Sequence, residues 1–192
     1  MLDTTHTHSG YLTGQFLIAM PSMTDPRFQR SVIYLCVHNA EGAMGLVVNR
    51  LVDSLTFDEL LEQLNIGRPD GGEEIRVHFG GPVESGRGFV LHSADYSREG
   101  TVLMDNGIGL TATVDILRDM AGGTGPRDSL LALGYAGWGP GQLDAEIQEN
   151  AWLTVPAEPD LLFDKALDRK WDRAVATIGF DPSLLSSEAG RA

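Results

Sequence analysis

The segment Gly134-Tyr135-Ala136-Gly137-Trp138-Gly139-Pro140-Gly141-Gln142-Leu143 decides how the chain is organised. Its glycines permit positive φ angles and close backbone approach, whereas Pro140 fixes φ for a first helical turn. An apolar run at residues 129–135 precedes it, typical of a central strand buried on both faces, and a helical pattern follows at residues 142–150. We therefore predict a structural loop, formed by Gly137, Gly139, Pro140 and Gly141, between a central strand and a helix.

Short runs of β-branched and aromatic residues predict further strands on either side of this loop. Three lie at residues 14–19, 31–38 and 43–49, and another follows the loop at residues 151–155. The second and third are joined by only a few residues, which is enough for an antiparallel hairpin but not for a parallel crossover. Residues 75–79 and 87–92 flank a Gly-rich stretch, and we predict a second hairpin with a long loop there.

Three helices are predicted besides the one after the loop. Thr56-Phe57-Asp58-Glu59 matches a capping box, so a helix begins after Thr56. Residues 114–121 form a second helix with Thr113 as its cap. Residues 168–178 form a third, with Trp171, Val175 and Ile178 on its buried face and the basic residues on a solvated face. Those basic residues are Arg169, Lys170 and Arg173.

This order of elements predicts an α+β fold: a single compact domain with a mixed, mainly antiparallel sheet flanked by helices. Its length of 192 residues suits one domain with its own core. We expect residues 11–185 to form this domain, with a flexible N-terminus at residues 1–10 and a flexible tail at residues 186–192.

Charge and composition disfavour several classes of partner. The 27 acidic and 14 basic residues give a formal net charge of −13, which repels nucleic-acid phosphates, so general nucleic-acid binding is not expected. Apolar runs are too short to span a membrane, and the first ten residues lack the features of a signal peptide. The single Cys36 suits a reducing compartment, and we expect a small inert hydrophobe there. A cytoplasmic location without membrane contact is therefore predicted.

Several motifs together resemble the AlgH/YqgE family of bacterial proteins. They are the loop sequence itself, Gly42-Ala43-Met44-Gly45, Gly80-Gly81-Pro82, Gly88-Phe89-Val90-Leu91-His92 and Asn150-Ala151-Trp152-Leu153. The resemblance implies an α+β domain without a known cofactor or established activity, and a label as a transcriptional regulator. The chain departs from the family in ending Gly190-Arg191-Ala192, where relatives often carry a terminal histidine motif.

Polar side chains near predicted strand ends and at the loop are the candidate binding residues. His38 and His92 fall at strand ends, where a sheet presents side chains to a pocket, although a histidine bonded to backbone is the commoner state. Gln142 and Glu146 share a helix face and can bond each other. No spacing marks a metal site, a catalytic residue or a phosphate loop, so we expect no metal and no cofactor. The candidates are His38, Asn39, Asn49, His92, Trp138, Gln142 and Glu146.

Three functions remain open at this point. The absence of a catalytic signature favours a regulatory or adaptor protein that contacts a still unknown protein partner through the loop and the His38-Asn39 turn. A small enzyme or ligand-binding protein would need a pocket lined by five polar side chains, those of His38, Asn39, Asn49, His92 and Gln142. A DNA-binding regulator would fit the family label but not the acidic charge. Nothing in the sequence sets the oligomeric state.

Overall fold

The computed structural model describes residues 11–104 and 106–179, so the two predicted flexible ends lie outside the described residues. One nine-stranded sheet and five helices make up this part of the chain. The strands are β1 (Gln15–Ala19), β2 (Val32–Asn39), β3 (Gly42–Val47), β4 (Val77–Phe79), β5 (Val83–Ser93), β6 (Thr101–Leu103), β7 (Ile108–Thr111), β8 (Ser129–Trp138) and β9 (Trp152–Pro156). The helices are α1 (Phe57–Gln63), α2 (Val114–Ala121), α3 (Gln142–Gln148), α4 (Pro159–Leu162) and α5 (Leu167–Ala176).

Strand β8 holds the sheet together. The strand order is β6-β7-β5-β8-β3-β2-β1-β9, and every pair in that order is antiparallel. The short β4 also pairs with β8, in parallel, through Val77 to Phe79 beside Leu131 to Leu133. A mixed, mainly antiparallel sheet in a single α+β domain is thus confirmed.

The sheet is curled, and helices cover both of its faces. Its inner face carries the largest core, where α4 and α5 pack Leu162, Trp171 and Val175 against β1, β2 and β3. Helices α1 and α2 cover the outer face of β4, β5 and β8, and α3 covers the outer face of β1, β2 and β3. The curl brings the β6–β7 turn to the start of β1, where the Asn106 side-chain amide donates a hydrogen bond to the Gly14 carbonyl oxygen at 3.2 Å.

Predictions that rested on local signals are confirmed. Strands β2 and β3 form the expected antiparallel hairpin, with a bulge between Leu35 and Val37. The Thr56 hydroxyl accepts the Glu59 amide hydrogen at 3.1 Å, so α1 begins where the capping box placed it. Strand β8 is central, as its apolar run predicted. Thr113 stands at the N-cap position of α2, but its side chain makes no capping hydrogen bond.

The predicted second hairpin, between residues 75–79 and 87–92, is wrong. Strands β4 and β5 lie on opposite edges of β8, each paired with Leu131 to Leu133. The intervening Gly81 adopts a φ of +157°, and a Cβ there would lie 2.0 Å from the Tyr135 carbonyl carbon, so the backbone crosses β8 at a distance only glycine allows. The short strands β6 and β7 and the helix α4 have no counterpart in the predictions.

Two residues lie in surroundings that the sequence interpretation did not predict. Trp138 ends β8, and Gly137 pairs with Met44 of β3, so the structural loop consists only of residues 139–141. Lys170, expected on the solvated face of the last helix, is only 1% exposed. The physical reason is its position four residues before the buried Ala174, on the same face of α5.

Candidate functional site

The structure brings three of the predicted site residues, Trp138, Gln142 and Glu146, together where α3 packs on the sheet. The indole N–H groups of Trp138 and Trp152 both donate to Glu146 Oε1, at 3.3 and 3.1 Å. The Gln142 amide donates to Glu146 Oε2 at 3.0 Å, and its own oxygen accepts the Gly139 amide hydrogen at 3.0 Å. The two indole rings meet edge to face with centroids 6.1 Å apart. The predicted pairing of Gln142 with Glu146 is confirmed, and these contacts dock α3 on the sheet.

His38 belongs to the same set of contacts around α3. Its ring is buried, Nδ1 accepts the Leu12 amide hydrogen at 3.1 Å, and Nε2 lies 3.4 Å from Asp144 Oδ1 on α3. Because Nδ1 accepts, Nε2 carries the hydrogen that faces the carboxylate. In the sheet register, Ala43 lies between His38 and Trp138, so all three residues share the face that α3 covers. His38 is therefore a buried residue that contacts α3 on the covered face of the sheet.

The short turn at residues 139–141 uses only one of its glycines for an unusual backbone conformation. Gly141, the N-cap of α3, has φ +72° in the left-handed region, whereas Gly139 has no positive φ, and a Cβ there would make only an ordinary contact with the Gln142 side chain at 3.9 Å. Pro140 lies in the turn before the N-cap, not in the first helical turn. Gly137 and Gly139 therefore lack the positive φ angle that the sequence suggested for the loop glycines, and only Gly141 has it.

The other predicted polar residues lie apart from α3 and from each other. His92 is fully buried, donates from Nδ1 to the Ser93 carbonyl oxygen and accepts at Nε2 from the Thr111 hydroxyl, both at 2.8 Å. Its burial lowers its pKa below the usual value. Among the described residues, Asn49 bonds only the backbone of Val32 and Arg30. The structure does not gather the five polar side chains expected to line one pocket.

An open apolar groove crosses the concave side of the sheet. It has a volume of about 490 Å³, and the predicted residues Asn39 and Trp138 lie along it. Two of its valines, Val37 on β2 and Val102 on β6, are 44% and 57% exposed, although four strands separate β2 from β6 in the sheet order. We call it the sheet groove, and its apolar lining is Val37, Met44, Phe89, Val102, Leu110 and Tyr135.

A second, polar cavity contains the residues that the sequence interpretation missed. It has a volume of about 440 Å³ and lies between β4, the start of β8 and the α4–α5 connection. Lys170 and His78 are its two buried ionisable residues, and Arg76 and Lys165 also line it. Burial lowers the pKa of Lys170 to about 7 and that of His78 to about 4. We call this the lysine cavity; the one available sequence signal was the helical spacing of Lys170 and Ala174.

Cys36 points into the inner core, where burial raises the pKa of its thiol to about 12. A thiol that stays protonated is a poor nucleophile, which agrees with the expected inert residue. Within residues 11–104 and 106–179, no three His, Cys, Asp or Glu side chains are placed to hold a metal ion. No helix in that part of the chain is long and apolar enough to cross a membrane.

Comparison with known proteins finds the AlgH-like family model over residues 16–183. A UPF0301 protein of Rhodospirillum rubrum is 54% identical over 185 residues, covering 96% of each chain. One from Methylobacterium sp. strain 4-46 is 58% identical over 192 residues, covering 96% of this chain and 91% of its own. The solution structure of AlgH from Pseudomonas aeruginosa matches with a TM-score of 0.78 at 45% identity, over 100% of both chains. A protein of Corynebacterium diphtheriae, 20% identical, shares the fold with a TM-score of 0.75 over 92% of each chain.

Proposed function

This chain belongs to the AlgH-like family, and on that premise we propose that it is a regulatory or adaptor protein that binds an extended segment of a partner in the sheet groove. The observation that carries the proposal is the groove itself. Its lining is mainly apolar and comes from β2, β3, β5, β6, β7 and β8. Contiguous exposed apolar surface of this kind is typical of protein interaction sites.

The edge of the sheet beside the groove supports an extended binding partner. Strand β6 ends the strand order and, within the described residues, pairs only with β7. Its outer edge therefore presents backbone N–H and C=O groups to which another strand can add. Val102 and Leu103 on β6 are both more than half exposed, so an added strand would also cover apolar surface.

Charge indicates the composition of the partner segment. The chain carries a formal net charge of −13, whereas the groove itself is lined by one acidic and one basic residue, Glu41 and Arg87. Long-range attraction therefore favours a segment with basic residues, while the groove favours apolar residues at alternate positions, because alternate side chains of a strand point to one face. The proposed occupant is an extended, basic segment with alternating apolar side chains.

Two matched substitutions test this function. Val102→Glu places a carboxylate in the groove. Val114→Glu is the control, because it makes the same change at a valine outside the groove, 42% exposed, at the start of α2. The first step identifies proteins that the wild type and Val114→Glu retain from native lysate but Val102→Glu does not. Peptides that cover the sequences of these proteins are then synthesised, and their binding to each variant is measured by titration. We expect Val102→Glu to weaken peptide binding at least about tenfold, because its carboxylate would meet the apolar side chains of the segment, while the alternating basic side chains point to the opposite face.

Two results would contradict the proposal. One is that Val102→Glu retains the same partners with unchanged affinity while remaining folded. The other is that the bound segment is acidic or helical, since neither fits an apolar groove beside a sheet edge on an acidic protein.

A further inference from the structure

Both lysines of the chain line the same cavity. The sequence contains only Lys165 and Lys170, although it contains twelve arginines. Lys165 is exposed, and Lys170 is 1% exposed. The lysine cavity shares no lining residue with the sheet groove, so an inference about it is independent of the proposed adaptor function.

Lys170 is held by two backbone carbonyl groups. Its Nζ donates to the Val48 carbonyl oxygen at 2.8 Å and to the Leu162 carbonyl oxygen at 2.6 Å. Within the described residues, no carboxylate oxygen lies within ion-pair distance of it, and burial lowers its pKa to about 7 although the charge of Asp164 opposes the shift. A neutral amine uses both hydrogens on these carbonyls and keeps its lone pair, which is the form in which a lysine acts as a nucleophile.

The other polar groups of the cavity complement this amine. His78 donates from Nδ1 to the Leu131 carbonyl oxygen at 3.0 Å, which leaves Nε2 unprotonated and able to accept a proton. Arg76 donates from Nη2 to the Lys165 carbonyl oxygen at 2.8 Å, which fixes its guanidinium at the cavity. Four carboxylates line the cavity: Asp128 and Asp164 are paired with Arg127 and Arg173, whereas Glu73 and Glu74 are exposed to solvent.

Arg76 therefore supplies a cation without a carboxylate partner among the described residues. Guanidinium groups bind carboxylates through two parallel hydrogen bonds. A cavity of about 440 Å³ is in the size range of small-molecule sites. Its chemistry suits a small molecule with a carboxylate for Arg76 and an electrophilic carbon for Lys170.

We propose that the lysine cavity binds a small 2-oxo acid, with the carboxylate at Arg76 and the carbonyl carbon at Lys170 Nζ. The amine adds to the carbonyl carbon to give a carbinolamine, and the hydroxyl group then leaves as water. With one proton taken up from solvent, the products are a protonated imine and one water, and nothing is oxidised or reduced. His78 lines the same cavity, and its Nε2 is the group we assign to accept the proton that moves between nitrogen and oxygen. The protonated imine nitrogen keeps one N–H, which can donate to the carbonyl oxygen of either Val48 or Leu162.

Reductive trapping tests this proposal on the wild-type protein. Pyruvate and cyanoborohydride are added near neutral pH, and the modified sites are identified by peptide mass mapping. The chain offers only Lys165, Lys170 and its terminal amine, so Lys165 is an internal control in the same cavity. We expect at least about tenfold more adduct on Lys170 than on Lys165, because an amine with a pKa of about 7 is largely neutral at pH 7.5.

Three further measurements define the site. Trapping at Lys170 should fall about tenfold between pH 8 and pH 6, as the amine becomes protonated. Acetone, which lacks the carboxylate, should label Lys170 less than pyruvate does, and Arg76→Gln should reduce the pyruvate adduct to the acetone level without changing the melting temperature. Lys165→Arg should leave the Lys170 adduct unchanged.

The proposal is overturned if folded protein is labelled at Lys165 or the terminal amine but not at Lys170. Lys170 would then be a structural residue that ties α5 to Val48 and Leu162. Equal labelling by pyruvate and acetone would overturn the role of Arg76 and the choice of a 2-oxo acid as the ligand. Neither result would bear on the sheet groove, which is tested separately.

Discussion

At the scale of single residues, Glu146 is the acceptor on which the docking of α3 depends. Glu146→Ala leaves two indole N–H groups without their acceptor, and Trp138 and Trp152 are both more than nine-tenths buried. We expect the free energy of unfolding to fall by about 2 kcal/mol, measured by urea denaturation.

Glu149→Ala is the matched control for this change. Glu149 is exposed at the end of the same helix, where a negative charge is unfavourable to the helix dipole, so its removal should cost nothing. Equal midpoints for the two variants would mean that the indole hydrogen bonds do not stabilise the protein.

Lys170 makes stability depend on pH in a defined window. Its pKa is about 7 when folded and near 10.5 when unfolded, so between these values the unfolded chain binds one more proton. Stability therefore rises with pH, by about 2 kcal/mol between pH 7 and pH 9 from this group. Above pH 9 the buried Cys36 opposes the rise, because its thiol keeps a proton that the unfolded chain loses.

Denaturation midpoints at pH 7 and pH 9 measure the contribution of Lys170. Lys170→Met should remove the rise with pH, whereas Lys165→Met at the exposed position should keep it. A wild-type midpoint that does not change, or that falls over this interval, would show that Lys170 remains charged when folded.

At the scale of elements, the turn before α3 distinguishes two glycines that look alike in the sequence. Gly141→Ala must adopt a φ of +72°, which costs a residue with a Cβ about 1–2 kcal/mol. Gly139→Ala meets only the Gln142 side chain at 3.9 Å and should be nearly neutral. Thermal melting of both variants measures the difference, and a Gly139→Ala variant as unstable as Gly141→Ala would contradict this turn geometry.

Local signals were sufficient to predict elements whose partners are close in the chain. The capping hydrogen bond of Thr56 and the β2–β3 hairpin depend on residues only a few positions apart, so sequence patterns carry them. The pairing of β4 with β8 joins residues more than fifty positions apart, and no local pattern encodes such a register. Turn signals around Gly80 therefore indicated a hairpin, where the chain in fact crosses to the other edge of β8.

The same contrast between local and distant contacts applies to the candidate site residues. The four-residue spacing of Gln142 and Glu146 correctly predicted their contact. It could not predict that the indoles of Trp138 and Trp152 would share the same carboxylate. Asn39 reaches the sheet groove, but the strand-end positions of His38 and His92 carried no information about burial. Lys170 was assigned to solvent because charged residues are rarely buried, although its helical position favoured the core.

At the scale of the whole molecule, the acidic charge sets an expectation for nucleic acids. With a formal net charge of −13, the isolated protein should show no appreciable binding to duplex DNA at physiological salt. An electrophoretic mobility assay with DNA upstream of candidate regulated genes measures this directly. Sequence-specific binding at nanomolar concentrations would contradict the expectation and favour a DNA-binding regulator.

The central position of β8 also affects the order in which the fold can form during synthesis. Six of the seven strands made before it fall into two separate groups, β1-β2-β3 and β5-β7-β6, while β4 pairs with β8 itself. Among the described strands, only β8 pairs with both β3 and β5. Until residues 129–138 leave the ribosome, both groups present open, apolar edges. At roughly 5–20 residues per second, the nascent chain carries these edges for several seconds. Ribosome-bound chains that stop before residue 129 should therefore recruit chaperones, and chains that extend past β9 should release them.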